Sequence, residues 1–443
     1  MSSRNRRRGQ GGEVEVAIEA LGDAGDGLAR HAGVRVAVPG ALPGERHRVR
    51  LAPGRGDTRP ATSLECLQAV DRATPPCPHA AHCGGCATQH VPEAVEAEWR
   101  VQRVRRALAR RGLEPAVALA HRSPLGARRR LRLVVDRQGG RVRLGYRARG
   151  SRRVVEVGAC PIARPAIVDA FAPLARLLGE LTAAPAEVAL TAFDAGLEVV
   201  LLGGAAPGVE DRERLAAWAE AHDVARLARA DDATSPAEPL AARRPPALVW
   251  PALRVAPPPL AFLQATAQAE AYLQARVAAA VGSTDRVLDL YAGIGTLAAA
   301  ALAAGARVRA IEREPAAAAA LAAAEPRVPV EVRDLERRPP TAEELAGVDA
   351  VVLDPPRRGA EPVARALAES GVPRVAYVSC APVSFARDAA ILAAGGYGVA
   401  QVEVVDQFRF SPALELMAVF ARGSGRGRGS GGGKALDRPR RRG

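Results

Sequence analysis

The 443-residue chain is long enough for two or three domains, and 48% hydrophobic residues supply real cores. A formal net charge of +14 points to a polyanionic partner, most often nucleic acid, and says nothing about fold. No apolar run reaches the roughly 18 residues of a membrane span, and no apolar segment follows the basic amino terminus. The expectation is a cytoplasmic protein without a membrane role, whose clustered cysteines serve a metal or catalysis rather than disulfides.

Residues 1–12 and 422–443 are Gly/Arg-rich and read as disordered tails. Residues 13–70 hold short apolar stretches, VEVAIEAL, VRVAVPG and HRVRLA, separated by Gly, Asp and Pro turns. That spacing predicts a small, OB-like β-barrel. Residues 71–258 read as an α+β central domain. It opens with a cysteine-rich loop, CPHAAHCGGC, and a basic helix over Ala94–Arg111. Between 127 and 158, Arg alternates with apolar residues, which predicts strands with one cationic face and candidate phosphate contacts. A proline-rich stretch near 245–259 marks a boundary. From 259 to 421, strands (RVLDL, RVRAI, VDAVVL, RVAYV) alternate with Ala-rich helices, the pattern of a Rossmann-like α/β domain. The chain shows no internal repeat.

Five constellations carry chemistry. In VLDLYAGIGTLAAAALAAGARVRAIERE, a strand reaches Asp289, a turn with Gly293 and Gly295 leads into a helix, and a second strand ends at Glu312. Glycines let a nucleotide-like ligand approach the backbone, and a carboxylate at the next strand end can hold a ribose diol. The acidic strand end before the turn favours S-adenosylmethionine over a dinucleotide. In VVLDPPRRG, Asp354 ends a strand, and in YVSCAP, Cys380 follows one. Ligands of such sheets bind at the carboxyl ends of strands, so one fold puts Asp289, Glu312, Asp354 and Cys380 on one rim. Glu415 begins a last strand; if that strand is antiparallel, Glu415 joins the rim in apolar company and is a candidate base. Cys77, Cys83, Cys86 and the distant Cys160 could hold zinc or an iron–sulfur cluster, and spacing alone does not choose. Cys66 is left over as a structural spare.

These residues resemble the RNA 5-methyluridine methyltransferases, over nearly the whole chain. GDGLAR (25–30) and VAVPGALPGE (36–45) resemble the RNA-binding TRAM domain, the cysteine set resembles that family's [4Fe–4S] site, and DPPRRG with YVSC resembles its most specific signature. The resemblance implies a class I S-adenosylmethionine-dependent uracil-C5 methyltransferase, with Cys380 as nucleophile toward C6 and Glu415 as base. Gln264 in AFLQAT would lie near the cofactor, which Asp289, Tyr291, Gly293, Gly295, Thr296, Glu312, Asp334 and Asp354 would line. It favours [4Fe–4S] over zinc, ribosomal over transfer RNA, and a monomer. Two features depart from the family pattern: Ala381 and Ser384 replace Asn and Thr after the cysteine, and SPALE, with Ala413, replaces a His-containing segment before the base. The rival readings are a non-catalytic RNA-binding metal protein and a nicotinamide-dependent oxidoreductase.

Overall fold

A computed structural model of the chain describes residues 12–53, 57–139 and 141–423; apart from Gly12, Arg422 and Gly423, the two tails lie outside the described residues. Three large sheets follow one another. The first has six strands. Glu13–Ala17 pairs with Arg46–Leu51, which pairs with the long strand Thr58–Gln68; Val34–Val38, Gly27–His31 and Ala20–Leu21 complete it. Alternate residues Val36, Val38, Val49 and Leu51 fill its interior. Glu45 is buried beside it. Burial pushes this carboxyl up, but bonds from the Leu42 amide, His47 and Arg72 outweigh that and hold it below its ordinary value.

The second sheet has seven strands, running from the edge strand Val154–Glu156 to Glu238–Ala242 at the other edge. The Arg-rich strands Arg130–Gln138 and Arg141–Arg147 form an antiparallel pair within it. Leu133, Leu144, Leu190 and Val199 pack against the helices Phe171–Glu180 and Val209–Ala221.

The third sheet has eight strands in the order Val330–Val332, Arg307–Glu312, Arg286–Leu290, Ala350–Leu353, Arg374–Ser379, Glu415–Arg422, Tyr397–Asp406, Ala116–Arg122. The first five are parallel, and Glu415–Arg422 runs antiparallel to its neighbours. Apolar cores lie on both faces, as a doubly wound sheet requires. The strand Ala116–Arg122 and the helix Glu93–Ala109 fall in the central stretch by sequence. In space they extend this third sheet, and Val101, Val104, Leu108 and Val117 share its core. Thr266 caps the helix Ala267–Ala280, its side chain accepting from the Ala269 amide at 3.2 Å, which fixes how the preceding AFLQAT segment enters the site.

Candidate active site

Strand side chains alternate between faces. Val287, Ala310, Val352, Val378 and Met417 all belong to one of the two cores of the third sheet. Each stands two residues from Asp289, Glu312, Asp354, Cys380 and Glu415 respectively. Period two therefore puts all five chemical side chains on one face, at one rim. Sheet register completes the placement. Ser379 pairs with Leu416, so the next step of the antiparallel ladder sets Cys380 opposite Glu415. On its other side, Glu415 pairs with Val405.

The pocket is electrostatically crowded. Burial, then the charges of Glu415 and Asp354, push the Cys380 thiol up to about 11, with the Arg357 guanidinium opposing. Burial and then Asp354 hold the Glu415 carboxyl well above its ordinary value. Asp354 is pushed up to about 7 by burial, eased by a bond from Gln264. The two carboxyls are joined by a relay. Gln407 Nε2 donates to Glu415 Oε2 (3.0 Å) and Gln264 Oε1 (2.6 Å), and Gln264 Nε2 donates to Asp354 Oδ2 (2.8 Å). Gln407 is itself fixed by the Ala265 amide. Glu415 Oε1 has no hydrogen-bond partner among the described residues. Gln264, placed near the cofactor by resemblance, is thus drawn between the two carboxyls.

Sequence reading missed Gln407 and Arg100. Gln407 had one faint signal, a polar DQ pair closing the apolar run VEVV. Arg100 had none, being one arginine among many on a basic helix. Its guanidinium is fully buried and donates to the carbonyls of Ala413 (2.9 Å), Ser411 (3.0 Å) and Phe408 (3.3 Å), the loop that leads into Glu415. Glu96 and Asp406 neutralise it, and Arg103 donates to the Pro412 carbonyl. The amides of Ala87 and Thr88, in the cysteine loop, donate to the Phe410 carbonyl. One helix and the cysteine loop thereby clamp the segment that carries the candidate base. The departures noted in sequence fit this frame. Ala413 contributes its carbonyl, which any residue supplies, and Ser384 Oγ donates to the Arg357 carbonyl at 2.8 Å, tying the DPPRRG loop to the helix after Cys380.

Toward the other end of the rim lies the glycine turn. Gly295 has φ +90°, and a Cβ there would meet a Leu321 methyl at 2.5 Å, so only glycine fits. Gly293 has φ +56° and faces open space. Thr296 begins the following helix. Glu312 accepts from the amides of Gly293, Arg313 and Glu314, each at 2.7 Å. Asp334 lies beyond the neighbouring strand and accepts from the Glu336 amide. Asp289 is buried at the end of its strand and held well above its ordinary value by burial, Asp354 and Glu312. Tyr291 leans toward the opposite core and donates its hydroxyl to Glu336. Tyr291, beside the glycine turn, and Phe410, in the loop that leads into Glu415, have positive φ, backbone strain of the kind that concentrates at functional sites.

Cys77, Cys83, Cys86 and Cys160 line one cavity of about 360 Å³, with Arg128, Arg357, Phe408 and Phe410 on its other walls. Burial, eased by Gln89, pushes the Cys86 thiol up to about 11, and the other three cysteines add to the rise. Cys83 and Cys160 are raised too, chiefly by burial. Cys66 stands apart, near Glu45 and His47 in the barrel, where Glu45 is already saturated by its own hydrogen bonds.

A doubly wound sheet with a glycine turn, a ribose-height carboxylate and a closing antiparallel strand defines the class I methyltransferases. Comparison with known proteins narrows this. Residues 7–52 match the TRAM domain family. An uncharacterized RNA methyltransferase of Rhizobium meliloti is 37% identical over 92% of this chain and 99% of its own. The 23S rRNA (uracil(1939)-C(5))-methyltransferase RlmD of Tolumonas auensis is 33% identical over 92% and 96%. The crystal structure of the Pyrococcus abyssi tRNA (uracil-54, C5)-methyltransferase, in complex with S-adenosyl-L-homocysteine, covers 92% of this chain and 99% of that one with a TM-score of 0.74 at 20% identity, a likeness of fold. The chain belongs to the family of S-adenosylmethionine-dependent RNA uracil-C5 methyltransferases.

Proposed function

We propose that the protein methylates C5 of a uridine in 23S ribosomal RNA through a covalent adduct at Cys380. The observation that carries this is the Cys380–Glu415 pair, set opposite each other in sheet register beside Asp354. Uracil C5 is a weak nucleophile. The Cys380 thiol passes its proton to Asp354, and its sulfur adds to C6, which breaks the C5–C6 π bond and makes C5 electron-rich. S-adenosylmethionine supplies an electrophilic methyl group at the glycine-turn end of the rim, where Glu312 and Asp334 would hold its ribose side. Once C5 carries the methyl, Glu415 takes the C5 proton and the C6–S bond breaks, restoring the ring and the thiolate. Desolvation makes Glu415 a stronger base than an exposed carboxylate, which suits abstraction from carbon. Asp354 and Gln264, bonded to each other, would meet the edge of the ring. The target base must leave its stack to reach them, at a cost of a few kcal/mol.

The four cysteines fit a metal group. They share one cavity, burial raises the thiols of Cys83, Cys86 and Cys160, and a bound cation would stabilise the charged forms. The cysteine spacing admits zinc or a [4Fe–4S] cluster, and the family resemblance favours the cluster. Methyl transfer moves no electron, so such a group would serve to shape the loop against Phe410.

The test uses RNA carrying 5-fluorouridine, which has no C5 proton to lose. With S-adenosylmethionine, a covalent protein–RNA complex should accumulate, and Cys380→Ala should abolish it. An adduct persisting in that variant would refute the assignment.

A further inference from the structure

The barrel and the central sheet are both rich in arginine, yet their guanidinium groups are in different states. On the barrel strand Arg46–Leu51, every arginine faces a carboxylate: Arg46 with Glu15 (3.4 Å), Arg48 with Glu65 (2.6 Å) and Arg50 with Glu13 (2.9 Å). Much of the central sheet is spent the same way. Arg129 pairs with Glu270 in the interior, Arg141 with Glu156, Arg143 with Asp136, and Arg137 donates to three backbone carbonyls. A group at the rim next to the catalytic pocket is left. Among the described residues, Arg128, Arg130 and Arg357 have no carboxylate within 4.0 Å of their nitrogens. Arg128 donates to the Arg130 carbonyl and lies over the Phe408 ring, its centre 5.8 Å from the ring centroid. Arg130 donates to the Leu263 carbonyl, next to Gln264. Arg357 follows Asp354-Pro355-Pro356, and its charge acts on both Cys380 and Glu415. Burial, then repulsion from Arg128 and Arg129, pushes Arg130 down to about 10.

Cations crowded together without a paired carboxylate, Glu198 acting on Arg130 and Glu415 on Arg357 only at a distance, cost folding free energy, and an arriving anion relieves the cost. A face whose arginines are interleaved with glutamates offers a phosphate little net positive potential, because each carboxylate repels it. We propose that the RNA backbone is held beside the target uridine by Arg128, Arg130 and Arg357, and that the arginine strand of the barrel contributes little to phosphate binding. The proposal deepens the functional reading above and rests on RNA being the substrate.

The test is the salt dependence of RNA binding by the full chain, with a fluorescein-labelled single-stranded uridine oligomer read by anisotropy. Removing one arginine that neutralises a phosphate should flatten the slope of log K against log salt by about 0.7. Arg128→Gln/Arg357→Gln should therefore flatten it by about 1.4, and Arg128→Lys/Arg357→Lys should restore most of that, which a merely structural defect would not allow. Arg46→Gln/Arg48→Gln/Arg50→Gln should leave the slope at its wild-type value. A flattened slope in the barrel variant, or an unchanged one in the rim variant, overturns the proposal. Wild-type protein that fails to bind the oligomer would instead sink the RNA reading itself, a distinguishable outcome.

Discussion

At the sheet rim, two buried carboxyls are linked through two glutamine side chains. In the cysteine cavity, Gln89 and backbone amides are what reach the sulfurs among the described residues. Both regions crowd acidic groups into a small volume away from water, and both raise their pKa values by burial. The difference lies in what can relieve the crowding. At the rim a proton suffices, and it can come and go within a catalytic cycle. In the cavity, four cysteines share one space, and the metal group proposed for them would be a cation that stays. On the proposed reading, one electrostatic stress would serve turnover in one place and permanent binding in the other, according to the hydrogen-bonding groups supplied alongside.

The contrast is sharpened most by Glu415→Gln. Methyl transfer should still occur, but release should slow by about a hundredfold or more, so that stalled protein–RNA adducts appear with natural RNA on denaturing gels. Normal turnover would show that Glu415 is only a buried structural acid. Next in size is Cys86→Ser. It should remove bound metal, read as loss of iron and of broad visible absorbance, and lower Tm by on the order of 5 °C or more, while S-adenosylmethionine binding by calorimetry is retained. Colourless protein holding zinc would replace the cluster assignment.

Arg100→Met tests the bridge between the two regions. Glu96 and Asp406 keep Arg122, but the carbonyls of Phe408, Ser411 and Ala413 lose their buried donor, which should cost about 2 kcal/mol in urea unfolding. If Arg100 positions the base, the folded variant should also accumulate the adduct that Glu415→Gln accumulates, and an equal slowing of every step would argue against that role.

The smallest effect is in the free protein and depends on pH. Asp354 titrates at about 7 when folded and near 3.9 when unfolded, so the folded state holds the proton more tightly. That contribution to stability is complete below the unfolded value and is lost as pH rises through about 7. Asp354→Asn should therefore match wild type near pH 4 and be the more stable of the two at pH 8, by urea unfolding. Equal stability at both pH values would place Asp354 in contact with water.

Much of the rim is legible in the sequence. Asp289, Glu312, Asp354 and Cys380 each stand where an apolar run gives way to a turn, and strand ends in a parallel sheet converge by rule. Glu415 needed one further fact, the direction of its strand, which its own residues do not encode. The extra edge strand Ala116–Arg122 was illegible for the same reason. Its pattern says strand, but its partner, Tyr397–Asp406, lies far along the chain. The arginine strands were read as one cationic face, and the structure divides them into guanidinium groups that are neutralised and groups that are not.

The sequence by itself determined which residues could do chemistry and where each would sit along its own strand or turn, because side-chain alternation, glycine turns and caps are decided by neighbours a few residues away. Only the tertiary structure decided which of those residues meet: Cys380 with Glu415, Gln407 with Gln264, Arg100 with the loop at 408–413. Coulomb and hydrogen-bond energies act over a few ångströms of space, and Arg100 reaches a carbonyl 313 positions away, a distance no local pattern spans.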